Sequence, residues 1–149
     1  MLKRTHLAIG LGSALYFLPH VTHKYTFIPI VLLTSLLPDI DSSSSSMGRR
    51  IVFRPLQWFA RHRCIIHSFS LCIILSAILA LFYPLFAFPF FLGYSLHLFA
   101  DSFTIQGIRP FWPSKLESKG IVRTGGTIES SILVVIIIVD IALLISFFI

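Results

Sequence analysis

Acidic residues are scarce in this chain: six Asp and Glu stand against twelve Lys and Arg in 149 residues. Charged residues of both signs make up 12% of the sequence, against roughly 25% in an ordinary soluble domain. With 56% hydrophobic residues and a mean hydropathy of +0.89, too little polar surface exists to coat a particle in water. This excludes an ordinary soluble domain and points to an integral membrane protein. In that setting a net charge of +6 sets orientation, and no nucleic-acid partner is expected.

Cysteine is nearly absent as well. If Cys64 and Cys72 share a helix they stand about 12 Å apart, beyond the roughly 7 Å that a disulfide spans. No disulfide is expected, and both read as apolar filler. No internal repeat is present. The start, "MLKRTHLAIGLGSALYFL", has the basic and apolar parts of a signal peptide but no clear A-x-A site, so it reads as an uncleaved first helix.

Five apolar segments remain, at about 5–19, 25–38, 64–83, 87–103 and 129–149. A spanning helix needs about 20 residues, so the third and fifth qualify, while the first two are short enough for a tilted or partly inserted hairpin. Pro19 ends the first helix. The expected fold is an all-α, polytopic membrane bundle of four to five helices in one domain, residues 1–149. The connections are unequal. Residues 38–63 hold five arginines and a serine run, and residues 104–128 hold four basic residues. The loops at 20–24 and 84–86 hold one lysine between them. By the positive-inside rule, Lys3, Arg4 and both basic connections are cytoplasmic, and the C-terminus is outside.

On that topology the unusual residues meet at one depth, near the cytoplasmic face. His6 opens the first segment, and Asp39 and Asp41 close the second. His62 and His67 open the third, His97 and Asp101 close the fourth, and Glu129 opens the fifth. His97 and Asp101 are four apart and share one helix face. Ionisable groups at membrane depth are costly and face the protein interior or a wet cavity. Imidazole nitrogen and carboxylate oxygen are both zinc ligands. Alone, each residue has a plainer reading. The H-x-x-x-D pair fits a buried hydrogen bond, Asp39 and Asp41 fit turn caps, Glu129 fits a helix first turn, and His62 fits a solvated position. Their common depth favours a metal site. His20 and His23 lie on the other side and read as interfacial. Asp140 lies about 16 Å along the fifth helix from Glu129 and is expected to be protonated or hydrogen-bonded, with Tyr94 or a serine of the third helix as partner.

The motifs "RTH", "LLPDID", "HRCIIHS", "GYSLHLFADSFTIQGIRPFWP" and "RTGGTIE" follow one another in this order. Together they resemble the YdjM-like (YbcI-like) family of bacterial inner-membrane proteins, described as membrane-bound metal-dependent hydrolases. Cys64 stands where that family commonly has glycine. The family is in turn similar to zinc-dependent phospholipase C and P1 nuclease. The resemblance implies a ligand order of His6, Asp39, His67, His97 and Asp101 for one or more divalent ions, zinc first. It also implies hydrolysis of a phosphoester, such as a phospholipid or a lipid-linked phosphate. Asp41, His62 and Glu129 are candidates for further ligands, for groups that position the ligands, or for general base. Arg63 and Arg109 are candidates for the substrate phosphate, with orientation and contact to anionic membrane lipid as the plainer role. The alternative is a non-catalytic metal-binding scaffold or a small transporter. The number of ions, the substrate and the oligomeric state do not follow from the sequence.

Overall fold

A computed structural model describes residues 1–41 and 65–147, with side chains from 1–39 and 65–147. Among these residues the chain is all-helical, with five α-helices and no strand. Helix α1 runs Lys3–Phe17, α2 Lys24–Thr34, α3 Phe69–Phe82, α4 Pro84–Ser102 and α5 Thr127–Ser146. Short 3-10 turns follow α1 (Leu18–His20, holding Pro19) and α2 (Leu37–Asp41).

Local chemistry sets these limits. The Ser68 hydroxyl caps α3 by accepting a hydrogen bond from Leu71 N at 3.3 Å, the kind of contact worth about 1 kcal/mol. The cap shortens the third segment. Instead of a helix from residue 64, residues 65–67 form a turn and α3 holds 14 residues, about 21 Å. The expectation that this segment qualifies as a full span is therefore corrected, and His67 precedes the helix rather than opening it. Tyr83, at φ −142° and ψ 67°, is outside the helical region ahead of Pro84, which takes the first position of α4, where its missing N–H costs nothing. The Thr104 hydroxyl closes α4 by donating to the Asp101 carbonyl at 2.7 Å.

Helix α4 is central, packing on α1, α2 and α3, while α5 packs chiefly on α1. Gly93 permits the α2–α4 contact: a Cβ there would strike Thr34 Oγ1 and the Val31 carbonyl. The Thr34 hydroxyl spans the same contact, 3.3 Å from the Pro89 carbonyl.

The distribution of polarity is inverted. Buried positions include Thr5, His6, Ser35, His67, Ser68, His97, Asp101, Thr104 and Glu129. The exterior of α3 and α5 carries Ile73, Ile74, Leu81, Val135, Ile138 and Ile141, each at least half exposed. In water such a surface would aggregate. Helix α5, 20 residues with a mean hydropathy of 2.7 over an 18-residue stretch of which 17% is buried, is the one described helix long and apolar enough to cross a membrane.

Candidate metal centre

Four separate parts of the chain deliver side chains to one buried point. His6 comes from the first turn of α1 and Asp39 from the 3-10 turn after α2. His67 comes from the turn before α3, and His97 and Asp101 from the last turns of α4. Asp101 is the hub. Its Oδ1 lies 3.3 Å from His6 Nε2, and its Oδ2 lies 3.6 Å from His97 Nε2 and 3.7 Å from His67 Nε2. His97 Nε2 is also 3.9 Å from Asp39 Oδ1. The His6 and His97 rings stack with centroids 3.9 Å apart, and the His67 ring meets that of His97 at 5.4 Å. The Met1 amino group lies against Asp101 Oδ1.

Two triads with ligand atoms within 4.8 Å of one another emerge, His6–His97–Asp101 and Asp39–His67–His97, sharing His97. Ligands on a tetrahedral zinc, with bonds of 2.0–2.2 Å, stand about 3.3–3.6 Å apart. The nearest observed separations fall in or just beyond that range.

The hydrogen bonding points the same way. The Ser35 carbonyl accepts from His97 Nδ1 at 2.7 Å. A carbonyl only accepts, so Nδ1 carries the proton and a neutral ring turns its Nε2 lone pair toward the two carboxylates. Both ring nitrogens of His6, Nε2 of His97 and Oδ2 of Asp101 are buried without a hydrogen-bond partner, the 3.3 Å approach of His6 included. Such groups are normally satisfied, and leaving one unmade costs about 1–3 kcal/mol. A divalent cation among these atoms would satisfy them together, so the residues fit one. Burial raises the Asp39 carboxyl above its ordinary range, against the opposing pull of the His6 imidazole. A bound cation would reverse that shift.

The remaining candidates divide. Glu129 is not among the converging groups. Its Oε1 accepts from Leu2 N at 2.6 Å and from the Thr5 hydroxyl at 2.7 Å, and its Oε2 accepts from Gly125 N at 2.6 Å. Both oxygens are thus engaged in tying the start of α1 to the start of α5. That geometry describes a positioning residue, one of the roles expected of it. Asp41 ends the 3-10 turn, but its side chain lies outside the described residues, as do His62, Arg63 and Cys64. Arg109 donates to Glu117 Oε1 from Nε at 3.2 Å and from Nη2 at 2.8 Å, so a phosphate there would compete with a carboxylate. Asp140 does not take the expected partner. Its Oδ1 occupies the space over Gly12 with no hydrogen bond, and the Tyr94 hydroxyl donates to the Ile66 carbonyl at 2.6 Å. Sequence reasoning missed Ser35 and Thr5. Ser35 acts through its backbone, which leaves no mark in the sequence. Thr5, beside His6 in "RTH", could have been paired with Glu129 only through the fold.

The cluster is closed on most sides. The side chains of His6, His67, His97 and Asp101 are at most 1% exposed, and that of Asp39 is 19% exposed. Access among the described residues is therefore at Asp39.

The chain belongs to the YdjM inner membrane protein family, whose model matches residues 1–148. It is 33% identical over 100 residues to the inner membrane protein YdjM of Escherichia coli (strain K12), an alignment covering 59% of this chain and 50% of that protein. The YdjM protein of Shigella flexneri aligns with the same identity and coverage. The Bacillus subtilis (strain 168) protein named "Uncharacterized protein YvsG" is 26% identical over 125 residues, 78% of this chain and 76% of that one. The chain thus spans about half the length of the YdjM proteins it matches. No solved structure matches it.

Proposed function

We propose that this protein is a multi-pass inner-membrane hydrolase, dependent on a divalent metal and acting on a phosphoester such as a phospholipid or a lipid-linked phosphate. The observation that carries the reading is the pair of contacts on His97. Ser35 holds the proton on Nδ1, and Nε2 faces Asp39 and Asp101. With His6 stacked on the same ring, charging both imidazoles would set like charges face to face in a buried site. A cation between nitrogen and carboxylate removes the conflict.

His6, Asp39, His67, His97 and Asp101 would hold one or more ions, zinc the first choice. When bound, such an ion lowers the pKa of a coordinated water and polarises a phosphoryl oxygen. The protein's own residues provide orientation. Ser35 fixes the His97 tautomer, as outer-shell carbonyls do for ligating histidines. Glu129 and Thr5 fix the first turn of α1 and hence His6. Asp39, at the accessible edge, borders the path for substrate and water.

The N-terminus is placed in the cytoplasm, with both basic connections on that side, because every strongly charged segment then falls on one face. The test pairs metal analysis of the purified protein with a screen of phosphoester hydrolysis. Stoichiometric metal with turnover that a chelator abolishes is the expected result. Metal without turnover favours the alternative, a metal-binding membrane scaffold or a small transporter. Absence of metal after purification and reloading removes both.

A further inference from the structure

The loop between α4 and α5 carries a surface that neither the core nor the His–Asp cluster uses. Its tip, residues 109–119, is closed by an antiparallel bridge: Ile108 N donates to the Ser118 carbonyl at 3.0 Å, and Ser118 N returns to Ile108 at 2.9 Å. Within the tip, Ser114 N donates to the Phe111 carbonyl at 2.7 Å, and Phe69 N ties the Pro110 carbonyl to the start of α3 at 2.8 Å. Glu117 pairs with Arg109 at 2.8 Å and with Lys119 at 2.6 Å. Lys119, and then Arg109, push its carboxyl down to about 2. That pairing is in place above the ordinary glutamate range and is lost only as pH falls toward about 2.

This fixed turn holds Phe111, Trp112 and Leu116 outward, 57%, 45% and 68% exposed. Large apolar groups on a constrained loop are not the residue of poor packing, because the backbone holding them is bonded on both flanks. Three cations, Arg109, Lys115 and Lys119, stand against one anion, Glu117, over the same residues. Aromatic side chains interleaved with lysine and arginine match the headgroup zone of a bilayer, where rings sit at the interface and cations meet anionic lipid. The loop also runs straight into α5, the described helix apolar enough to cross, after Arg123 and only eight residues beyond Lys119.

We propose that the 109–119 tip docks on the anionic surface of the bilayer, with Phe111, Trp112 and Leu116 inserted at the headgroup boundary. The inference does not depend on metal or catalysis. A second copy of the chain is the rival occupant, and charge decides against it: two such tips would bring like-charged cations together, whereas an anionic headgroup complements them.

The test uses the full chain with Trp58→Phe, which leaves Trp112 as its one tryptophan. The protein is reconstituted in phosphatidylcholine vesicles with and without phosphatidylglycerol, with acyl chains brominated near the headgroup. Docking is expected to give blue-shifted Trp112 emission that the brominated lipid quenches by most of its intensity. Lys115→Glu should reduce that quenching in phosphatidylglycerol vesicles and change it little in phosphatidylcholine alone. Water-like emission that the lipid leaves unquenched overturns the proposal. Blue-shifted, unquenched emission that reverts to water-like as protein is diluted into lipid also overturns it, in favour of a second copy. Quenching indifferent to Lys115→Glu and to phosphatidylglycerol overturns the electrostatic part.

Discussion

The Nδ1 nitrogen of His97 lies 2.7 Å from the backbone carbonyl of Ser35, 62 residues earlier in the chain. One hydrogen bond therefore joins the end of α2 to α4 and decides which way the His97 ring presents its free electron pair. The fold and the chemistry of the site meet in that contact. Asp101, four residues on, is approached by three imidazoles, and its removal is the most direct probe.

Asp101→Asn keeps the size of the side chain and removes its charge. If Asp101 ligates a cation, metal content and hydrolysis should fall together, by more than the roughly 10–100-fold that outer-shell losses cost. Folding should stay largely intact. If Asp101 is only a buried charge partner of the histidines, the variant should instead lose about 3–5 kcal/mol of stability. Metal analysis and thermal unfolding on one purified sample separate the two. Unchanged metal with unchanged melting removes Asp101 from the site.

Gly93→Ala tests the packing beneath the site. The added Cβ meets Thr34 Oγ1 and the Val31 carbonyl, and the carbonyl cannot move without parting α2 from α4. Overpacking of this kind costs about 1–3 kcal/mol. Because Ser35 follows directly on α2, metal affinity should weaken along with the melting temperature. A variant as stable as the parent, with full metal, would show that the α2–α4 distance has slack.

Glu129→Gln separates positioning from proton transfer. The carboxylate accepts from Leu2 N, Thr5 Oγ1 and Gly125 N, and a glutamine amide offers one oxygen for the three. An N–H2 group then faces a donor, at a cost of about 1–3 kcal/mol. Melting should drop and metal stoichiometry should hold. Hydrolysis should fall modestly, with its pH profile unmoved. Loss of one limb of the pH profile would restore Glu129 as a general base.

Much of this arrangement was readable from the chain because it is local. His97 and Asp101 share a face through helical spacing alone. Apolar runs and Pro19 placed α1, α2, α4 and α5 to within a few residues. His6, Asp39 and His67 came from the order of the motifs, and the structure brings them to the same point as the α4 pair. What escaped was long-range or made by the backbone. The Ser35 carbonyl has no residue signature, and the engagement of Glu129 with Leu2 and Thr5 spans more than 120 residues. The length of α3 was misread because Ser68 sits inside an apolar run, where hydropathy counts it as helix and its hydroxyl makes it a cap.

Membrane topology is the remaining test, and helix lengths make it a sharp one. At 1.5 Å per residue, the 15 residues of α1 and 11 of α2 reach about 22 and 17 Å, against a hydrocarbon core of roughly 30 Å. Such a pair either crosses with local thinning of the bilayer or enters and returns from one side. Under the orientation expected from the basic residues, both cases keep Lys3, Arg4 and the 38–63 connection on the cytoplasmic side. Reporter fusions at Ser45 and Lys115 should therefore read inside, and those at Phe86 and Ile149 outside. The hairpin itself is resolved at Thr22, an exposed residue between α1 and α2. In a Thr22→Cys variant with Cys64 and Cys72 replaced by serine, an impermeant thiol reagent added outside should label the protein if the pair crosses fully. It should fail to do so if the pair is re-entrant. A fusion at Lys115 that reads outside while the one at Ser45 reads inside would put His6 and Asp101 on opposite faces of the bilayer. That outcome is incompatible with the 3.3 Å between them, and it would overturn both the topology and the site.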